Sequence, residues 1–472
     1  MHRQLRLAFL AALGFFTVSL CLAAWFRLPL SWDGSAYLFD ILNAGKLENR
    51  RSFRQSQMLF ELPVYWLRAS GASVNALSLT YSLTYALIPV GALAFSWWVL
   101  PAHRKNLIVW PVLALGLGTV WGQIYFIAES ILTPILAWPI VLSVIAGQRK
   151  LWAAGGLIFL FFLSPASAFV FLFLAFVLCF DSVKRLPAGS DQGLSTRKFS
   201  LIFAALLVAF AILRLKLLEP GYESDQVTLQ SYVRSFWLSV YGLPLIGIGL
   251  SFAISFLLVR PAQNAKSALV NTMLFYGLAI LTLGNCLWWI LDRADWLSPV
   301  RFRFFAVAVH LCFYIFAWAT GSVAGAHAAE VKSSELKGLR LSLMLAALVF
   351  TLVIVAQCAA ASHDITKLKT IFAAQKSSCV DHAQVASVEA NEEFSSLFEH
   401  RFRGDFLIVH GNYVAAISIL LQNTRVPKRV FLGWPLNCAE NSSPDRLTVI
   451  GHRAAVLRSP AGWFDLRQTG LD

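Results

Sequence analysis

The chain has 472 residues, of which 58% are hydrophobic and only 14% are charged, and its formal net charge is +14. A soluble globular domain carries about 25% charged residues, so this composition excludes an ordinary soluble enzyme and indicates a polytopic membrane protein. Lys and Arg in cytoplasmic loops explain the positive charge better than nucleic-acid binding does, so we expect no nucleic-acid partner.

The chain begins with a basic head and a long apolar run, which a cleaved signal peptide also shows. No small-residue cleavage motif closes the run, so we interpret it as the first transmembrane helix. Further apolar stretches follow, for about eleven transmembrane helices in all. These stretches lie at 76–100, 107–126, 130–147, 153–163, 166–180, 199–217, 235–259, 267–291, 303–325 and 341–361.

Loop charges predict the orientation of the helices. With a cytoplasmic N-terminus, every connecting cytoplasmic loop carries at least two basic residues, whereas the short outer connections "FIAES" and "LSPAS" carry no Lys or Arg. This distribution follows the positive-inside rule and predicts that loop 28–75 and the tail from residue 362 are extracytoplasmic. We expect an integral protein of a bacterial inner membrane, with a periplasmic C-terminal domain.

The tail changes in character at residue 362. It becomes polar with mixed charge, contains the β-like runs "DFLIVHG" and "KRVFLGW", and has helical spacing in "NEEFSSLFEHRF". A segment of about 110 residues is long enough to bury a core of its own. The sequence therefore predicts a transmembrane domain at 1–361 and a soluble α/β domain at 362–472, in which a Cys379–Cys438 disulfide is compatible with an oxidising compartment.

Acidic residues follow the first apolar span directly. Asp33 lies at the membrane edge and Asp40 follows seven residues later. A short helix over 33–47 puts Asp33, Tyr37 and Asp40 on one face. Charges beside hydrocarbon are costly and usually functional, which favours a site here. The alternative is an amphipathic helix that lies on the membrane surface and has an acidic polar face.

Two other outer loops carry charges at the start of an apolar span. Glu129 lies in a very short turn between two spans, where a helix cap is the alternative. Arg301 and Arg303 follow Pro299 in "SPVRFRFF". A guanidinium binds phosphate through a planar fork, although an interfacial anchor is the alternative. His310 is two turns further along, where a histidine satisfied within the bundle is the alternative.

The order of these features resembles that of GT-C-type glycosyltransferases, which use polyprenyl-phosphate-linked sugars. The resemblance is carried by Asp33 with Tyr37, by "ILNAGKL" and "FELPVYWLRASGA", by Glu129 between the third and fourth helices, and by "PVRFRFF" at a late helix. The chain departs from the family at Gly34, where a second acid is frequent, and at Pro63, where two prolines are usual. The resemblance implies an all-α polytopic membrane fold with a C-terminal soluble domain.

The resemblance also implies an activity, which is inverting transfer of a sugar from a polyprenyl-phosphate donor to an extracytoplasmic lipid, glycan or protein acceptor. It implies Asp33 as the general base and Glu129 as an orienting acid. The other site residues that it implies are Arg301, Arg303 and Arg54 for the donor phosphate, and Tyr37, Asp40 and His310 for the lining of the acceptor site. Membrane lipids are the remaining expected partner, and the oligomeric state stays open.

No cofactor is expected, because no set of Cys and His residues has the spacing of zinc ligands. A requirement for a divalent cation stays open. Three other functions are compatible with a polytopic protein. A transporter or flippase favours charges or broken helices near the bilayer midplane and a repeat between halves, and neither is evident. A non-catalytic scaffold does not require the acids and arginines to lie together, whereas an enzyme requires them to converge on one site. A different lipid-linked reaction, such as acyl or phosphoethanolamine transfer, is disfavoured because the sequence contains no metal cluster and no outer Ser or Thr nucleophile motif.

Overall fold

The computed structural model is mostly helical, as the composition predicts. It describes residues 2–30, 33–44, 55–118, 129–148, 151–184, 191–217, 307, 310–311, 313–318, 320–321, 333–374, 379–381, 419–428 and 430–432. The helices are α1 (His2–Trp25), α2 (Asp33–Ala44), α3 (Met58–Ala69), α4 (Val74–Val99), α5 (Val109–Gly118), α6 (Glu129–Ile145), α7 (Leu151–Phe161), α8 (Ser167–Lys184), α9 (Asp191–Lys216) and α10 (Ser333–Ala374). Helical residues between 307 and 321 form what we call the Tyr314 segment.

Four helices of the described chain are long and apolar enough to span a bilayer, and the protein is therefore a membrane protein. They are α1, α4, α9 and α10, and their apolar parts run over Arg3–Trp25, Val74–Val99, Lys198–Lys216 and Lys337–Ala359. Helices α6, α7 and α8 contain shorter apolar stretches. The predicted spans at 235–259 and 267–291 lie outside the described residues.

Helices α1 and α4 run antiparallel. The ring of Phe9 near the start of α1 stacks on Trp97 near the end of α4, with 4.7 Å between ring centroids. At the other end, Arg27 Nη2 donates a hydrogen bond to Asn75 Oδ1 at 2.5 Å. Helix α4 therefore runs back along α1 in the opposite direction.

Helices α1 and α10 run parallel. Arg340 Nη1 donates to Gln4 Oε1 at 3.1 Å near the start of both helices. Further along both, Ser19 Oγ donates to Thr351 Oγ1 at 2.9 Å. The chain thus enters α10 at the same end of the bundle at which α1 begins.

Helix α6 and the Tyr314 segment also run parallel. Arg104, which follows α4, donates through Nη1 to the carbonyls of Ile145 and Gly321, at 3.1 Å each. Nearer the start of both elements, the rings of Trp138 and Tyr314 meet edge to face, with 4.5 Å between their centroids. Because Arg104 joins the ends of α4, α6 and the segment, these three elements end on the same side.

The opposite side of the bundle carries α2 and α3, and we call it the α2–α3 end. Ser56, just before α3, donates through its N–H to Phe162 O at 3.1 Å and through Oγ to Phe159 O at 2.8 Å. These bonds fix the approach to α3 on the end of α7. The ring of Phe210 packs against Phe161 at 5.9 Å, so α9 ends on this side as well.

Helix α2 confirms the helix predicted after the first span, and the structure describes it from Asp33 to Ala44. Its surroundings differ from the surface-lying alternative, because Gly34, Ser35 and all residues at 37–43 are buried. Packing against α3 contributes to this burial, since Arg68 Nε donates to the carbonyl of Leu42 at 2.7 Å. An acidic face exposed at the membrane surface is therefore wrong for Asp40, which lies inside the protein.

Helix α10 is longer than the predicted span at 341–361. It continues to Ala374, through the predicted domain boundary at 362. The sequence has no Pro in this helix and no Gly after Gly338, so nothing breaks the helix where its hydropathy falls. Hydropathy marks the end of the apolar part and leaves the end of the helix undetermined.

Part of the tail forms a two-stranded parallel sheet. Strand β1 (Cys379–Asp381) pairs with β2 (Val430–Leu432). The strand predicted within "KRVFLGW" is thereby confirmed, and a parallel pair requires a crossover connection between its strands. The run "DFLIVHG", the helical pattern "NEEFSSLFEHRF" and Cys438 lie outside the described residues.

Another tail segment lies against the bundle. Ile419 and Leu420 are buried in the same apolar core as the helices. The pKa of Arg68 is lowered by burial, raised by Tyr65, and lowered by the positive charge of Arg425. Because such a charge acts over short range, residue 425 lies near the α2–α3 end.

Two helices pack closely at Gly116. The motif "GLGTVWGQ" predicts helix packing, and α5 passes α10 at Gly116. A Cβ added there lies 2.7 Å from the carbonyl oxygen of Ala346, which is closer than atoms can approach. Small residues at such crossings let membrane helices pack backbone to backbone.

Candidate functional site

Acidic and amide side chains are buried at the α2–α3 end. Asp40 and Asn43 on α2 are 5% and 3% exposed, and Glu61 on α3 is 5% exposed. Asp and Glu are almost never fully buried unless they are paired, and each of these three residues has interaction partners in the fold. Two carboxylates are thus held inside a membrane protein, where charge is costly and usually functional.

The α3–α4 hairpin positions Glu61. Ser73 caps α4 by accepting a hydrogen bond from the N–H of Ala76 at 3.3 Å, and this turn reverses the chain between the two helices. Further from the turn, Gln57 Nε2 is 3.5 Å from Tyr85 Oη. Glu61 lies one turn after Gln57 on the same helical face. Because α3 and α4 are antiparallel, this turn brings Glu61 closer to the hairpin than Gln57, to about the level of Tyr81 on α4.

Helix α4 presents a buried polar stripe at this level. Ser78, Tyr81, Ser82 and Tyr85 are all at most 4% exposed. Their spacing of three, four and seven residues places them on one face. Within the described part of the chain, the hydroxyls of Ser78 and Ser82 have no hydrogen-bond partner. Polar groups therefore line this face of α4 inside the bundle.

The two predicted catalytic acids are both the first residues of helices. Asp33 begins α2 and Glu129 begins α6. Helix α6 starts at the α2–α3 end, because α6 and α4 finish together at the other end. Helix α2 starts there because it follows directly on the end of α1, where Arg27 bonds to Asn75. A negative side chain in a first turn is stabilised by the helix dipole, which agrees with the helix-cap alternative for Glu129. The side chains of both acids lie outside the described part.

The other predicted site residues divide into two groups. Tyr37 and Asp40 are buried on α2, as close to Asp33 along the helix as their spacing predicts. Arg54, Arg301 and Arg303 lie outside the described residues, so the predicted phosphate-binding group stays a prediction.

His310 lies inside the bundle in a group of aromatic side chains. Trp138 Nε1 donates a hydrogen bond to His310 Nδ1 at 3.0 Å. The ring of Tyr314 is 6.5 Å from the imidazole, and its hydroxyl donates to the carbonyl of Pro134. His310 Nε2 is buried and has no partner among the described residues. The alternative of a fully satisfied core histidine therefore holds for one ring nitrogen only.

Two buried charges were absent from the predicted site. Glu61 is the only charged residue between Arg54 and Arg68, and Arg214 lies near the end of the apolar helix α9. Arg214 is 0% exposed and has interaction partners in the fold. The rule that singled out Glu129, a lone charge in an apolar stretch at a helix end, also finds Glu61. For Arg214, which has Lys216 two residues away, the sequence predicts either a phosphate contact or an interfacial anchor.

The described residues contain no group of three His, Cys, Asp or Glu residues arranged to hold a metal ion. No protein-family model, no curated protein and no solved structure matches the chain. The likeness to GT-C-type glycosyltransferases thus depends on the short motifs and their order.

Proposed function

We propose that this protein is a membrane-embedded glycosyltransferase that uses a polyprenyl-phosphate-linked sugar. One observation carries the proposal, which is the burial of two carboxylates, Asp40 and Glu61, on the helices that follow the first span. They lie at the end of the bundle where Asp33 and Glu129 begin their helices. A sugar presents many hydroxyl donors, and carboxylates are strong acceptors for them.

In the proposed reaction, Asp33 accepts the proton of an acceptor hydroxyl while that oxygen attacks the anomeric carbon. The bond between the anomeric carbon and the phosphate oxygen breaks, and polyprenyl phosphate leaves with the bonding electron pair. One displacement inverts the anomeric centre. Arg301 or Arg303, with Arg54, stabilises the growing negative charge on the phosphate.

The remaining acids hold the reactants. Asp40 and Glu61 accept hydrogen bonds from hydroxyl groups of the sugar, and Glu129 orients the acceptor. Tyr37 lines the same side of α2. Fixing both reactants in a buried site removes much of the entropic cost of bringing them together.

The proposed topology has about eleven spans, a cytoplasmic N-terminus and an extracytoplasmic α/β domain at 362–472, in a bacterial inner membrane. The parallel direction of α1 and α10 supports this count, because an odd number of spans must separate two parallel spans. The proximity of Arg425 to Arg68 supports a tail on the same side as the first loop. From there the domain helps to hold the acceptor.

The test is sugar transfer by purified protein in nanodiscs, with a panel of farnesyl-phosphate-linked hexoses and pentoses as donors. We expect Asp33→Asn to lower transfer by about 10²–10⁴-fold, the usual contribution of a general base. Asp191→Asn is the matched control, because Asp191 begins α9 at the opposite end, and its transfer should equal that of the wild type.

Equal transfer by Asp33→Asn and wild type excludes Asp33 as the base. If the wild type transfers no sugar but moves the lipid-linked donor between the leaflets of proteoliposomes, the transferase proposal is wrong and the flippase alternative replaces it. Both outcomes are read from folded protein, which size-exclusion chromatography of each variant establishes beforehand.

A further inference from the structure

The hydrogen bond between Trp138 and His310 fixes the position of the imidazole proton. An indole N–H only donates, so His310 Nδ1 must be the acceptor in the 3.0 Å bond. A neutral imidazole then carries its proton on Nε2, and a charged imidazolium has no free lone pair for the indole. His310 is thus a neutral donor through Nε2, and it is not arranged to act as a base through that atom.

This donor is buried without a described acceptor. His310 is 0% exposed, and its Nε2 makes no hydrogen bond with any described residue. Leaving a buried donor unpaired is costly, and native proteins pair nearly all such groups. A ligand oxygen that accepts from Nε2 removes this cost, so the imidazole is suited to binding a ligand.

The depth of His310 suits a ligand that enters from the α2–α3 end. Trp138 is nine residues after the start of α6, which is about 13 Å along the helix axis. Its indole leans towards the start of α6, as long side chains on helices do. The imidazole, bonded to that indole, therefore lies between the middle of α6 and its start at Glu129.

The chemistry around His310 favours a hydroxyl over an anion. The rings near it belong to Trp138 and Tyr314, and Phe173 packs on Tyr314 at 5.4 Å. None of these side chains is cationic, and the Tyr314 hydroxyl is already bonded to Pro134. A neutral donor among aromatic rings binds an uncharged oxygen without the desolvation cost of an ion.

We propose that Trp138 holds His310 in its Nε2–H form and that this N–H donates a hydrogen bond to a hydroxyl oxygen of the substrate sugar. The inference rests on the proposed function, because it names a contact of the transferred or accepting sugar. Trp138 is then a positioning residue, and His310 determines which sugars bind.

The first test is nitrogen-15 NMR of the whole protein in nanodiscs with labelled histidine, in which the His310 signals are those lost in His310→Gln. We expect the Nε2–H form in the wild type and a mixture of both neutral forms in Trp138→Phe, which lacks the indole N–H. A wild-type His310 that is protonated on Nδ1 overturns the proposal.

The same signals report binding. The probes are methyl glucoside, methyl mannoside, a methyl pentoside and the farnesyl-phosphate-linked sugars. We expect at least one probe to shift the His310 Nε2 signal, and no shift with any of them overturns the contact, whatever the transfer assay shows. A shift without any sugar transfer leaves the contact standing and contradicts the proposed transferase activity instead.

A matched pair of variants separates the two ring nitrogens. The amide N–H of Gln reaches the position of His Nε2, whereas the amide of Asn reaches only that of Nδ1. We expect His310→Gln to keep the KM for the sugar within about threefold and His310→Asn to raise it about tenfold, which corresponds to one lost hydrogen bond, with kcat nearly unchanged. Equal KM values in both variants contradict a donor role for Nε2.

Discussion

The two ends of the helix bundle handle polar groups in different ways. At the end where α4 and α6 finish, cations close the helices. Arg104 bonds to the last carbonyl of α6 and to Gly321, and Lys105 donates to the carbonyl of Trp97 while lying 4.7 Å from the centre of its ring. Cations belong at helix C-termini, where unpaired carbonyls and the helix dipole attract them.

The α2–α3 end also has cations on terminal carbonyls, from Arg27 to Ala24 and Trp25 and from Arg68 to Leu42, but in addition it buries polar groups on the sides of helices. Asp40 and the serines of α4 lie on helix faces away from the terminal carbonyls. Glu61 is also a buried carboxylate but lies in the first turn of α3, where the helix dipole stabilises an acid. A polar group at a helix end has a structural explanation, and one buried on a helix face needs another. This contrast, more than the number of charges, identifies the α2–α3 end as the candidate site.

The largest expected effect is on catalysis. Glu61→Gln keeps the size of the side chain and removes its charge, and we expect sugar transfer to fall by about 10²-fold or more, because a carboxylate in a buried site contributes electrostatically. Transfer from farnesyl-phosphate-linked sugars is the measurement. Glu335→Gln is the control, since Glu335 lies in the first turn of α10 at the opposite end.

Equal sugar transfer by Glu61→Gln and Glu335→Gln contradicts the functional difference between the two ends. Wild-type transfer in Glu61→Gln shows that the buried carboxylate is structural. A loss that appears in both variants shows that the assay responds to stability. Melting of each variant in nanodiscs distinguishes that second case, because a catalytic loss leaves the midpoint within a few degrees.

The next effect is on stability at the opposite end. Arg104→Met leaves the carbonyls of Ile145 and Gly321 without their donor, and a hydrogen bond to a charged group contributes about 1.5–3 kcal/mol. Both bonds come from the single atom Nη1, so their contributions are not additive. We expect the free energy of unfolding to fall by about 2–3 kcal/mol, as measured by steric trapping in bicelles. Transfer per folded molecule should stay at the wild-type level.

Arg340→Met is the matched control for this variant. Its hydrogen bond to Gln4 is exposed, so we expect a loss of less than about 1 kcal/mol. A fall in transfer per folded molecule in Arg104→Met contradicts the purely structural role of that end.

Much of the helical framework could be predicted from the sequence, because apolar runs of sufficient length are helices in a bilayer. The spans around α1, α4 and α9 were predicted within a few residues of their apolar limits. The continuation of α10 to Ala374 could not be, because hydropathy reports contact with lipid, whereas a helix ends only where a breaker or cap stops it. The spacing of Asp33, Tyr37 and Asp40 likewise indicated helix α2 and left its burial open.

The site was partly predictable for a similar reason. Tyr37 and Asp40 were singled out because they share a helical face with Asp33 beside the first span, whereas Glu61, a lone acid in an apolar stretch, was overlooked. The bond between Trp138 and His310 joins residues 172 positions apart. Such pairing depends on how the helices pack, which motifs and hydropathy along the chain do not show.

The smallest expected effect concerns a residue that makes a structural helix-end contact but lies at the end of the bundle with the candidate site. Ser56 is a helix-end contact at the α2–α3 end, because its hydroxyl bonds to the carbonyl of Phe159 in the last turn of α7. Ser56→Ala removes that bond and keeps the N–H bond to Phe162, so we expect a loss of about 1 kcal/mol in the free energy of unfolding. Ser70→Ala, which removes an exposed bond to Leu67, should lose less.

The KM of Ser56→Ala for the donor shows whether Ser56 contributes to substrate binding or only to stability. Ser56 follows Arg54 by two residues, and Arg54 is predicted to contact the donor phosphate. If the contact with α7 also positions that arginine, the KM for the donor should rise about threefold while kcat stays within twofold, because the lost interaction acts on binding of the ground state. An unchanged KM limits Ser56 to stability, so that this helix-end contact resembles those of the opposite end.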